Sequence, residues 1–355
     1  MYEAIKKKVS VKKISIFLKS DYAGKDFSVN SVSSLNNIKN NSILFYSIHS
    51  NQKLKLKDTV KYDLKKLENY KNIIVITTED VFDASNLKNQ FDIILLWSNH
   101  WWGMPTEILG IEDLDIPVIA RAADPGDQND AIKNHKKWKI DYYFHFMPEE
   151  YFHEMYKKSF KFKNIIFGLE PSLYQNVKPF ESRIKNKILN TGACGSNKIT
   201  NKIYWFLKDR TVDNPYIGYK LRTLCNKLSY VDYTPTLSHE YVNDKFPKLL
   251  EKYKCTIAAC TETPNINFWE KTAAGCLTFM EITKENRGEY LGYVDGETAI
   301  FINENNYKEK FKEFLQNPDN PKWEKIASKG REYTLKNLNN DKAVESLVEL
   351  MRSLI

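Results

Sequence analysis

Thr261-Glu262-Thr263-Pro264-Asn265-Ile266-Asn267-Phe268-Trp269-Glu270-Lys271-Thr272-Ala273-Ala274-Gly275-Cys276-Leu277 joins two short apolar runs, residues 255–259 and 277–281. Each run has the length and composition of a buried strand. Between them, Phe268 to Gly275 reads as a helix that ends on small residues and a glycine. A strand, a helix and a strand in succession form the repeating unit of a parallel sheet. Glu262 then stands at the carboxyl end of the first strand. Glu270 stands on a helix rich in apolar and small residues, where an ionised carboxylate needs a partner. A vicinal diol suits it, because one carboxylate can accept both hydroxyl hydrogens. The plain alternative is a surface helix carrying a salt-bridged glutamate.

The same alternation extends in both directions. Upstream, residues 14–18, 43–48, 73–77, 91–97, 117–122, 140–146 and 162–167 read as strands covered on both faces, separated by polar segments. Gly168 and Pro171 then break the pattern, and a polar stretch to Lys187 follows. The pattern restarts with a strand at 187–191, helices near 200–209, 221–228 and 241–253, a further strand at 298–302, and helices at 308–316, 323–335 and 341–350. The 355 residues are too many for an ordinary single core and suit two α/β domains. The expected organisation is two facing, doubly wound, Rossmann-like domains at 1–175 and 176–335. A C-terminal helix at 336–355 is expected to pack back on the first. Ligands of such sheets bind beyond the carboxyl ends of the strands.

Three further loops leave strand ends. Gly192-Ala193-Cys194-Gly195-Ser196 opens a helix; small residues there let a ligand approach the backbone, and free amides at a helix start attract phosphate. Lys198 or Lys202 would supply the counter-charge. In Ser98-Asn99-His100-Trp101-Trp102-Gly103-Met104-Pro105, adjacent Trp rings cannot both face one side of an extended chain, so Trp101 or Trp102 is open to stack on a ligand, the plain alternative being that both are core. Arg121-Ala122-Ala123-Asp124-Pro125-Gly126-Asp127-Gln128 offers Asp124 or Asp127 as a hydrogen-bonding or proton-accepting carboxylate, the plain alternative being an Asp that starts a turn. His100, in the Ser98–Pro105 loop, is a further candidate for proton transfer.

Composition narrows the classes. The formal charge of +8 is compatible with anionic partners, but the lysines are evenly spread and no compact basic-aromatic motif points to specific nucleic-acid binding. The densest run, Lys6, Lys7, Lys8, Lys12 and Lys13, lacks an apolar face long enough for an amphipathic anchor, so contact with an anionic membrane would be peripheral. No apolar run reaches bilayer length, and none reads as a signal peptide. Five cysteines without paired spacing are expected to be reduced. The chain is therefore expected in the cytoplasm. Neither the six histidines nor the acidic residues have metal-ligand spacing, so no metal is expected.

Glu262 and Glu270, with seven residues between them, resemble the two-glutamate motif of retaining GT-B glycosyltransferases. Glu289-Tyr290-Leu291 with Asp295-Gly296-Glu297-Thr298-Ala299-Ile300-Phe301 is similar to the donor loop and returning strand of glycosyltransferase group 1, in particular its CgeB-like spore-maturation branch. Asp124-Pro125, Leu315-Gln316-Asn317-Pro318 and Ala327-Ser328-Lys329-Gly330-Arg331-Glu332 resemble the same branch. The resemblance is good over 187–340 and faint before it. It implies the GT-B fold with the active site in the cleft between the domains, and transfer of a hexosyl group from a nucleotide sugar, by default a UDP-sugar, to a glycan or other hydroxyl acceptor. It implies no metal and no further cofactor. In such enzymes the second Glu holds the ribose and the first reaches the donor sugar, which here are Glu270 and Glu262. The diphosphate falls beside Gly192, Ala193, Gly195 and Ser196, and Thr263, Asn265 and Asn267 lie on the donor side. Two departures are Asn267, where relatives often carry Arg, and Asn265, where many carry Gly; Asn tolerates a left-handed backbone and is expected to keep the loop. Two alternatives stand beside this reading: inversion with Asp124 or Asp127 as base, and a non-catalytic nucleotide-sugar- or glycan-binding protein on the same scaffold.

Overall fold

The computed structural model describes residues 14–19, 73–78, 81–87, 93–96, 107–123, 128–166, 169, 171–196, 199–207, 214–234 and 245–354. The chain divides into two units, residues 1–170 with 340–355, and residues 171–339.

In the first unit the described strands are β1 (Ile14–Lys19), β2 (Ile73–Thr78), β3 (Val81–Asp83), β4 (Ile93–Leu96), β5 (Glu107–Leu109), β6 (Val118–Arg121), β7 (Tyr142–His145) and β8 (Phe162–Asn164). Six form a sheet in the order β2-β1-β4-β6-β7-β8, every neighbouring pair parallel. β4 and β6 are buried at every residue, Arg121 at the end of β6 included. Helices α1 (Gln128–Lys137) and α2 (Glu149–Met155) flank β7 in the chain. Beside it, Phe152 stacks on Tyr156 at 4.5 Å and on Phe162 at 4.2 Å.

The second unit carries β9 (Ile188–Thr191), α3 (Ile199–Leu207), α4 (Pro215–Gly218), α5 (Lys220–Cys225), β10 (Val231–Thr234), α6 (Lys245–Leu250), β11 (Cys255–Ala258), α7 (Asn267–Ala273), β12 (Leu277–Glu281), β13 (Ile300–Ile302), α8 (Tyr307–Gln316) and α9 (Pro321–Asn337). Its sheet is parallel in the order β10-β9-β11-β12-β13. Ile188, Ile257, Leu277, Phe279, Phe311, Phe314 and Trp323 make its core. The chain leaves β9 toward β10 on one side and returns to β11 on the other. The loops after β9 and β11 therefore diverge, which opens a crevice at the carboxyl edge. The final helix, α10 (Asn340–Leu354), belongs to the first unit and buries Ala343, Leu347, Leu350 and Met351, one stripe at helical spacing.

The expected strand at 43–48 lies outside the described residues. The helix expected over 221–228 stops at Cys225. Strand β10 was not expected: its Val-Asp-Tyr-Thr sequence is half exposed at a sheet edge and shows no clean apolar run. The three-residue β3 and β5 pair as a separate parallel ribbon too short to read from periodicity.

Helix α9 starts on Asn320, whose side chain accepts from the Lys322 amide, with Pro321 in the first turn. It passes so close to its neighbours that a Cβ on Gly330 would lie 2.1 Å from the Thr298 carbonyl oxygen and 2.9 Å from Thr272. Because the nearest atom is backbone, relief requires the helix to move. Gly330→Ala should cost about 1–3 kcal/mol despite its better helix propensity. Urea denaturation checks this, and an unchanged midpoint would show that α9 has room to spare.

Candidate functional site

The loop after β9 is held from behind. Gly192 has φ 95°, a left-handed backbone that suits glycine, and an added Cβ would lie 2.8 Å from Arg222 Nη1. Its amide donates to Thr234 O at 3.2 Å, and its carbonyl accepts from the Tyr233 hydroxyl at 2.8 Å. The Gly195 amide donates to Thr223 Oγ1 at 2.7 Å, and the Tyr216 ring lies where a Gly195 side chain would go. Tyr216 also donates its hydroxyl to Ser196 O. The amides of Gly192 and Gly195 are thus already used, which differs from the expected row of free donors. Gly195 makes room for a tyrosine, not for a ligand.

Arg222 ties this loop to its neighbour. Its guanidinium donates from Nη1 to Ala193 O at 3.0 Å and from Nη2 to Ala259 O at 2.5 Å, so one buried side chain bridges the two loops flanking the crevice. Tyr219 stacks 4.5 Å beneath it. A second link joins the same loops: Thr191 Oγ1 donates to Asn267 Oδ1 at 3.4 Å. Asn267 is therefore brought to the end of β9. Asn265 accepts the Asn267 amide at 3.1 Å on its side-chain oxygen, which starts α7. Its backbone is not left-handed, so the expectation for Asn265 is corrected: the side chain makes the turn, and no tolerance of positive φ is involved.

Helix α7 is buried from Phe268 to Ala273. Burial pushes the Glu270 carboxyl up to about 8, while the Lys271 charge and the Tyr174 hydroxyl favour its ionised form. Lys271 donates from Nζ to Ile257 O at 2.5 Å, and burial holds its pKa well below the usual lysine range. Arg183 caps the far end of α7, donating from Nη1 to Ala274 O at 3.0 Å and Gly275 O at 2.9 Å. Glu262 is half-buried in the bend after β11, with Thr263 buried beside it. Lys202 is exposed on α3, one turn from its start.

Three groups escaped the sequence reading. Arg222 lies in a helix that gave no motif. Asn286, fully buried, donates from Nδ2 to Cys260 O at 3.0 Å and Glu281 O at 2.6 Å, fixing the loop after β12 against the end of β11. Glu281 ends β12; burial raises its carboxyl to about 7, opposed by Arg222. A buried carboxylate closing a strand is a readable signal, since it stands at the edge where ligands bind. His100, Trp101, Trp102, Asp124, Asp127 and Lys198 lie outside the described residues. Among the described residues no group of His, Cys, Asp and Glu is placed to hold a metal ion, and all five cysteines are free thiols.

No protein-family model and no curated protein matches the chain. Solved structures do. HepE from Anabaena, in complex with UDP, is 11% identical, with 96% of this chain and 100% of that one covered at a TM-score of 0.54. A glycosyltransferase from Rickettsia africae is 12% identical, covering 98% and 99% at 0.55. Sucrose-phosphate synthase from Thermosynechococcus elongatus is 10% identical, covering 97% and 99% at 0.53. The fold is GT-B. Identities this low carry the GT-B architecture and nothing about substrate.

The Glu270 carboxyl keeps its proton to higher pH in the native state than in the unfolded chain. Its contribution to stability is present in full below the ordinary glutamate value of 4.5 and is lost as pH rises toward about 8. Glu270→Gln removes that dependence and leaves Glu281 in both proteins. The variant should gain on the wild type between pH 5 and pH 8 by more than about 1 kcal/mol, roughly one pKa unit. Denaturant midpoints at the two pH values test this; parallel curves would mean that Glu270 is ionised throughout.

Proposed function

We propose that the chain is a glycosyltransferase that takes its nucleotide sugar, by default a UDP-sugar, in the crevice of the second unit. The observation that carries the reading is Glu270, a buried carboxyl on a helix whose start is tied to the loop after β9 by the Thr191–Asn267 contact. A ribose diol offers two hydroxyl donors to that carboxyl and would favour its ionised form. The diphosphate belongs beside Ala193, Cys194 and Ser196, with Lys202 or Lys198 as counter-charge. Arg222 holds the loop in shape beneath it, so the leaving charge meets a site already organised. These cations support a metal-independent reaction.

In the transfer, the bond from the sugar's anomeric carbon to the diphosphate oxygen breaks, a bond to the acceptor oxygen forms, and the acceptor's hydroxyl proton passes to the departing diphosphate. The two-glutamate spacing supports retention, with Glu262 at the donor sugar. It also supports placement in the CgeB-like spore-maturation branch, along with the Glu289-Tyr290-Leu291 helix turn and the Asp295-Gly296 turn, where the Asp295 carboxylate accepts the Phe301 amide at 2.7 Å. His100, Trp101 or Trp102, with Asp124 and Asp127, are proposed for the hexosyl acceptor.

Glu270→Ala should weaken UDP-sugar binding by about 1–3 kcal/mol, the range for hydrogen bonds to a charged group. Calorimetric titration checks the affinity, and release of free sugar without acceptor checks that the bound donor is cleaved. Unchanged affinity in a folded variant would remove Glu270 from the site; binding without any cleavage would favour a non-catalytic binder.

A further inference from the structure

Glu281 closes β12 with 4% of its surface exposed, and the proposed function gives it no part. Its carboxylate accepts the Cys260 amide. Its Oε2 has no hydrogen-bond partner among the described residues. Cys260 is gripped from the other side as well. Its carbonyl accepts from Asn286 Nδ2 at 3.0 Å, and the same Nδ2 donates to the Glu281 carbonyl at 2.6 Å. The grip extends along the chain: Arg222 Nη2 donates to Ala259 O, and the Thr261 amide donates to Gly218 O at 2.9 Å. Residues 259–261 are thus clamped from α4, α5, the end of β12 and the loop after it. The next residue is Glu262. A segment whose backbone groups are all engaged cannot shift alone, so the clamp fixes where the Glu262 loop begins.

Of these holding groups, Arg222, Asn286 and the Gly218 carbonyl keep one charge state at any ordinary pH. Glu281 does not, because burial raises its carboxyl to about 7. Arg222, facing it from α5, favours the ionised form; Glu304, from the turn before α8, and Glu285, on its own loop, favour the proton. Glu304 is itself paired with Lys220 at 2.7 Å. The two remaining titratable neighbours, Cys225 on α5 and Cys260 after β11, are thiols that burial keeps neutral. An opening that wets the carboxyl returns it to the ordinary value of 4.5. The closed clamp therefore holds the proton more tightly than the open one. Closure is favoured in full below 4.5 and loses ground as pH rises to about 7. The geometry points to Glu281 as a proton-operated positioning residue: neutral, it locks residues 259–261 and the start of the Glu262 loop; ionised, it draws toward water and lets that segment open. That Glu262 then meets the donor sugar rests on the proposed function; the clamp itself does not.

Hydrogen exchange of the full chain without ligand, followed between pH 5 and pH 8 and corrected for the intrinsic exchange rate, reads the clamp. The opening constant for the Cys260 and Thr261 amides should rise roughly tenfold or more over that range and level off above about pH 7. Glu281→Gln, neutral and of the same shape, should keep the closed value throughout, and Glu270→Gln should keep the wild-type rise. Carboxyl NMR of the wild type needs no variant: Glu281 should titrate near 7, and a midpoint at the ordinary glutamate value would overturn the inference. Release of glucose from saturating UDP-glucose reads the positioning. Wild-type turnover should fall roughly threefold or more from pH 6 to pH 8, while Glu281→Gln holds its pH 6 value with KM unchanged. A flat exchange profile in the wild type, the same rise in Glu281→Gln, or matching turnover profiles in two active proteins would each overturn the inference. No turnover by either protein would sink the donor reading instead, and the exchange profiles would still decide the clamp.

Discussion

Two neighbouring charged residues, Glu270 and Lys271, are buried on one short helix, and the second unit is built around holding them. Removing either charge from water is costly, so burial drives both toward their neutral forms while their mutual attraction opposes it. Lys271 is satisfied beneath the sheet by the Ile257 carbonyl. Glu270 has the Tyr174 hydroxyl on its side. Tyr174 lies in the segment that opens the unit, and that segment is fastened by Arg331, which donates to Tyr174 O at 2.6 Å, and by Arg183, which donates to Lys178 O. The carboxyl of α7 is thus positioned by parts of the chain distant in sequence. On the proposed reading, a ligand that brings hydroxyl donors would favour its ionised form.

The rest of the crevice follows the same logic of internal satisfaction. Arg222, Asn286 and Tyr216 consume the inward-facing groups of the loops after β9, β11 and β12, so these loops have one defined shape before any ligand arrives. Such pre-organisation lowers the ordering cost of binding. It also moves the meaning of the glycines: Gly192 and Gly195 serve close packing by Arg222 and Tyr216.

The architecture was legible because parallel strands buried on both faces are continuous apolar runs. Residues 277–281 were read to the residue, and the α/β alternation gave the doubly wound class. Glu270 was legible because a carboxylate among Phe268, Trp269, Ala273 and Ala274 is a conflict in local chemistry. Arg222 and Asn286 were not, because their importance lies in carbonyl oxygens reached 29 to 37 and 5 to 26 residues away. Edge strand β10 was hidden by its polarity. Asn265 was noticed for the wrong property, since backbone tolerance and turn-forming side chains favour the same residue.

The proposed function turns on the buried Glu270 carboxyl receiving the donor's ribose. Without ligand it is largely protonated at pH 7, and a diol donating two hydrogen bonds would ionise it. UDP-glucose has no group of its own titrating near that pH. Calorimetric titration at pH 7 in two buffers of different ionisation enthalpy measures protons exchanged on binding. The wild type should release about one proton per UDP-glucose, and Glu270→Gln none under conditions where it still binds. Binding by the wild type with no proton released, or the same release from the variant, would contradict it.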